Sequence, residues 1–103
     1  MKNIKRLAKN IEEELSDAGK YAKQAMECKT EHPEDAALYI ELAQDEMEHA
    51  ERLHTQAVAA IKKYREQKGD PPERMQGRYD EMHERYIDQA AAVRATIILF
   101  KEM

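Results

Sequence analysis

Two short segments that cannot continue a helix divide this chain of 103 residues into three long stretches that can. The first break is Thr30-Glu-His-Pro-Glu34. Pro33 fits the first turn of a helix but not its interior, because proline lacks the backbone donor and its ring clashes with the preceding turn. The second break is Lys68-Gly-Asp-Pro-Pro72. Here Gly69 suits a helix C-terminal cap and Asp70 an N-cap, Pro71 falls at the first helical position, and Glu73 completes an Asp-x-x-Glu capping box. The spacing predicts helices over residues 3–29, 33–68 and 71–102. Connections this short make sequential helices antiparallel neighbours.

Each stretch carries an apolar stripe at helical spacing. In the first, Ile4, Ile11, Ala18 and Ala25 form one row, with Leu7, Glu14, Tyr21 and Cys28 beside it. The second carries Ala36, Ile40, Ala43, Met47, Ala50, His54, Ala57, Ile61 and Tyr64, flanked by Tyr39, Leu42, Glu46, His49, Leu53 and Ala60. The third carries Met75, Tyr79, Met82, Tyr86, Ala90, Val93, Ile97 and Phe100. Fifteen alanines and fifteen glutamates, against few strand-favouring residues, agree with an all-α fold in one domain spanning 1–103.

The net charge of −4, with no basic face, argues against a nucleic-acid partner. One cysteine, Cys28, excludes an intramolecular disulfide and suits a reducing compartment; with no thiol or imidazole at a useful spacing, it reads as a buried small residue. The N-terminal Met-Lys-Asn-Ile-Lys-Arg leads into an amphipathic segment rather than an apolar signal core. The most apolar stretch, Ala90 to Phe100, is short for a bilayer and holds Arg94. The expectation is a cytoplasmic protein with no membrane partner.

The residues with chemistry to offer are Glu46 and His49. A Glu-x-x-His pair places a carboxylate and an imidazole one turn apart on one helix face, where both can grip one cation. The motif alone is weak. Random order in so Glu-rich a chain gives roughly 0.6 such pairs, and a second, Glu51-Arg-Leu-His54, is present. Position strengthens the first pair. Glu14 lies in heptad step with Leu7 and Tyr21, and Glu46 sits among Leu42, Ala43, Ala50 and Leu53, so both carboxylates fall on packing seams. A seam carboxylate is costly unless it is paired, protonated or bound to a metal. If the first turn centres near residue 31, Glu14 lies at nearly the same height as Glu46 and His49 across the hairpin. The candidate ligands, and with them the candidate catalytic residues, are Glu14, Glu46 and His49.

Lesser candidates are His54, in the apolar stripe, with Glu51 at its flank; both read first as a packing and a solvated residue. His83 lies roughly level with His54, so a small histidine cluster is available. His32 reads as a solvent-facing turn residue, and Tyr21 and Tyr39 as core neighbours of the site that could orient its ligands.

With Glu14, Tyr21 and Glu46-x-x-His49-Ala-Glu-Arg-Leu53 placed, residues 10–58 resemble the ferritin-like superfamily, and within it rubrerythrins and the short encapsulated-ferritin type. The resemblance implies a carboxylate-bridged di-iron centre that oxidises Fe(II) with O2 or H2O2, a ferroxidase or peroxidase-type activity. It also raises a place inside a protein shell, although Lys101-Glu-Met103 shows no targeting tail. The departure from the family pattern is equally specific. Full ferritin-like domains carry two Glu plus Glu-x-x-His sets on four helices, whereas this chain has one set. Glu81 and Glu84 lie outside the third stripe, and no Cys-x-x-Cys pair is present. A two-fold axis would double the set, so the expectation is an antiparallel hairpin plus a third long helix, completing a four-helix ferritin-like bundle by dimerisation, with two Fe per dimer and Mn as an alternative. Ile97 to Phe100 would then cover the bundle or join dimers into a ring. The competing expectation is a metal-free helical structural or interaction module.

Overall fold

The computed structural model describes residues 2–103 and consists of three α-helices: α1 (Lys2–Cys28), α2 (Pro33–Lys68) and α3 (Glu73–Glu102). At about 1.5 Å per residue the 36 residues of α2 account for the whole length of the molecule, which measures 55 × 17 × 17 Å. The chain runs up, down and up. Ile4, Ile61 and Met75 pack together at one end, and at the other the Lys29 ammonium donates to the Phe100 carbonyl and lies 4.3 Å from that ring's centroid. A cation on the last carbonyls of α3 also opposes the negative end of its dipole.

The three expected stripes form the core. On α1, Ile4, Ile11, Ala18 and Ala25 are all buried, and so is a second row, Ala8, Leu15 and Ala22, that the heptad reading passed over. The second row marks where α3 lies: Leu15 and Gly19 share a groove with Arg85 and Val93, and a Cβ on Gly19 would meet Val93 at 3.9 Å. The opposite flank of α1 faces α2, where Tyr21 stacks on Tyr39 with ring centroids 6.3 Å apart. Thus α3 covers one flank of α1 and packs far less against α2. Much of the buried contact is alanine, which lets the helices approach closely but removes little apolar area per residue.

Both breaks occur where expected, with two corrections. Gly69 closes α2 at φ 84° and ψ −157°, its N–H donating to the Arg65 carbonyl at 3.0 Å. The positive φ is the reason for glycine there. The capping box is not formed: α3 begins at Glu73, its cap position is Pro72, and no side chain caps it. Pro71 precedes a second proline, which excludes the helical conformation and delays the helix until Pro72 is passed. Cys28 is half-buried rather than buried, because it ends α1 at the turn.

On α3, Ile97 is buried and Phe100 partly so, whereas Ile98 and Leu99 are exposed. Among the described residues no helix is long and apolar enough to cross a membrane.

Candidate metal centre

Glu14 rises from the flank of α1 that α3 leaves open, and Glu46 and His49 face it from successive turns of α2. The Glu14 Oε2 and Glu46 Oε2 atoms lie 3.5 and 3.8 Å from His49 Nδ1. One ligand atom from each residue falls within 4.8 Å of the others, the only such trio of His, Cys, Asp or Glu among the described residues. Donor atoms bound about 2.1 Å from one cation lie roughly 3.0–3.4 Å apart, so a small contraction would close the trio on an ion. The heptad register explains the convergence: the turn at 29–31 sets the two helices so that residues at matching distances from it share a height.

The surroundings divide the three groups. Glu14 and Glu46 are 27% and 21% exposed, while His49 is 50% exposed at the solvent edge. Glu14 Oε2 is itself buried and accepts no hydrogen bond. Its 3.5 Å approach to His49 is at the outer limit of distance and misaligned, so it is an electrostatic contact that leaves the oxygen's lone pairs unfilled. A buried acceptor without a donor is rare, and it is what a cation would relieve. Glu14 and His49 open onto a groove of about 500 Å³ lined only by α1 and α2, together with Leu7, Arg52, Leu53 and Gln56. Arg52 and Gln56 were not among the sequence candidates, although they follow His49 by three and seven residues and so had to share its face.

Two carboxylates and an imidazole form a hard, oxygen-rich donor set of the kind that suits Fe(II), Fe(III) and Mn(II). The donor set fits iron, yet three ligands leave coordination positions open. The same trio also holds together without metal through the approach of His49 Nδ1 to both carboxylates.

The remaining candidates are distributed elsewhere. Glu51 is exposed and lines a separate groove with Met47, Arg94 and Ile97. His54 turns instead to His83 of α3, Nε2 to Nδ1 at 2.8 Å. Tyr21 and Tyr39 stack on each other, and among the described residues neither hydroxyl bonds to Glu14 or Glu46, which makes them packing residues of the hairpin. His32 is exposed, as are Glu81 and Glu84, with Glu81 paired to Arg85 at 3.4 Å. No family model matches the chain, and neither a curated protein nor a solved structure does.

Proposed function

We propose that this chain is a ferritin-like iron protein that binds Fe(II) at Glu14, Glu46 and His49 and oxidises it at a site shared by two copies. The reading rests on one observation: the buried Glu14 Oε2, without a hydrogen-bond donor, converges with Glu46 and His49 on the helix face that α3 does not cover. A second copy placed on that face about a two-fold axis would bring the set to four carboxylates and two imidazoles on four helices. Half-buried Leu42 and Leu53 lie on the same face of α2 and would pack at that interface.

In such a pair Glu46 would be the carboxylate shared by two iron ions, Glu14 a further carboxylate ligand and His49 the imidazole ligand, and carboxylates can adjust their binding as iron changes charge. The two Fe(II) would supply two electrons, one each, which with two protons reduce O2 to H2O2 or H2O2 to two waters, and the Fe(III) would be stored or rendered harmless. Mn(II) competes for the same donors. Exposed Ile98 and Leu99 on α3 provide an apolar surface for joining dimers into a ring. A cytoplasmic setting, free or within a shell, suits the half-buried thiol of Cys28.

The test is aerobic addition of Fe(II) with mass and metal content measured together. Two irons per dimer and a ferric absorbance that disappears in Glu46→Ala and His49→Ala are expected. A monomer holding two irons per chain, or unchanged oxidation in both variants, overturns the proposal. The second reading is a metal-free helical module, favoured by the approach of His49 to both carboxylates within 4 Å. Purification without chelator yielding metal-free protein, and a melting temperature indifferent to Fe(II), would select it.

A further inference from the structure

Beyond the carboxylate trio, the polar feature that the proposed iron chemistry does not use is the pair His54 and His83. It stands where α2 and α3 have few other contacts. His54 Nε2 and His83 Nδ1 lie 2.8 Å apart, with the rings inclined by 16°. The pair is bracketed by aromatic rings: Tyr86 stacks on His54 at 4.0 Å, and Tyr79 on His83 at 5.8 Å. Both imidazoles are part-buried, so packing restricts their rotation without sealing them from solvent.

We infer that His54 and His83 form a second metal site, a two-imidazole clamp for a late divalent transition ion such as Cu(II), Ni(II) or Zn(II), tying α2 to α3.

Two nitrogens held about 2.0 Å from one ion at right angles are about 2.8 Å apart, which is the separation found here, and a tetrahedral ion needs about 3.3 Å. In the metal-free protein the two nitrogens share a hydrogen bond along the line that joins them, and an ion bound to both would stand about 1.4 Å off that line, so both rings must turn to aim their lone pairs at it. The stacked tyrosines confine both rings to this neighbourhood, so binding calls for a rotation of the imidazoles within the pocket rather than the ordering of free side chains. Burial, and then the neighbouring His83, lower the affinity of His54 for protons, which keeps its lone pair available for metal at neutral pH. Imidazole donors without a carboxylate select the late ions, whereas the carboxylate trio selects Fe and Mn. Glu51, on the same face one turn earlier, lies in the neighbouring groove with Arg94, so water completes the coordination. The site does not depend on the iron proposal or on a second copy.

The experiment is a titration of Cu(II) into the full chain carrying His49→Gln, which removes imidazole from the carboxylate trio. Electron paramagnetic resonance of the bound ion is expected to show two equivalent imidazole nitrogens. A spectrum with one nitrogen or none overturns the inference without any change at His54 or His83. In the same background, His54→Gln and His83→Gln should each weaken Ni(II) binding by about tenfold or more, with helical content unchanged by circular dichroism. Retention of Ni(II) affinity in either folded variant also overturns it. Oxidation of Fe(II) by otherwise native His54→Gln protein should persist, which separates the failure of one site from the failure of the other.

Discussion

Glu14 Oε2 lies 3.5 Å from His49 Nδ1, across the hairpin from α1 to α2, and it is buried with no hydrogen-bond donor. A carboxylate so placed weakens the metal-free fold, because it has lost water without gaining a full partner. Replacing it should therefore separate stability from binding. Glu14→Leu is expected to raise the stability of the metal-free protein by up to about 1 kcal/mol, the low end for an unsatisfied group because the side chain is still partly exposed. The same variant should lack the rise in melting temperature expected when Fe(II) is added to the native protein. Thermal unfolding with chelator and with Fe(II) measures both. A Glu14→Leu protein destabilised in chelator would make Glu14 a structural partner of His49 instead.

The face that presents the trio carries the next prediction. Leu42 and Leu53 flank Glu46 and His49 on α2, and Leu42 lies outside the packed core. Leu42→Lys should leave the helices intact and shift the protein to monomer, because a buried ammonium opposes association. Iron oxidation should fall in parallel with the dimer population seen by sedimentation. Full oxidation by a monomeric Leu42→Lys protein would show that one chain suffices.

These tests bear on features that differ in how visible they are in the amino-acid sequence. The three stripes and both breaks are legible because a helix repeats its face every few residues and because glycine and proline stop it. The convergence of Glu14 with Glu46 and His49 is legible too, since a tight hairpin fixes relative height. Which flank of α1 receives α3 is not. Leu7, Glu14 and Tyr21 on one side and Ala8, Leu15 and Ala22 on the other are both plausible seams, and small alanines decide the matter by allowing closer approach. Pro71 does not open α3 for a local reason: a proline suits a first helical turn only if no second proline follows it. The pairing of His54 with His83 was visible only as equal height, since lateral contact depends on where α3 settles.

Two glycines should respond to the same substitution with opposite signs. Gly69 sits at φ 84°, where alanine is strained although space is open around it, whereas Gly77 lies in helical backbone of α3 with nothing near its would-be Cβ. Gly69→Ala should cost about 1–2 kcal/mol and Gly77→Ala should stabilise by about 0.5–1 kcal/mol. For a domain of this size each kcal/mol moves the melting temperature by about 4–8 °C. Calorimetry on the two variants checks the signs, and a neutral Gly69→Ala would show that the turn relaxes to another conformation.

Burial, and secondarily His83, lower the pKa of His54 below its ordinary 6.5 in the folded protein. The unfolded chain therefore binds a proton at this residue more readily than the native one. The contribution is fully present above the unfolded value, declines as pH falls below about 6.5, and is lost once pH has passed through the lower folded value. Stability in chelator should accordingly decrease between pH 7 and pH 5, and the decrease should be shallower in His54→Gln, which cannot titrate there. Denaturant unfolding of both proteins across that range measures the difference in slope. Parallel curves would mean that His54 binds protons equally in the folded and unfolded chains.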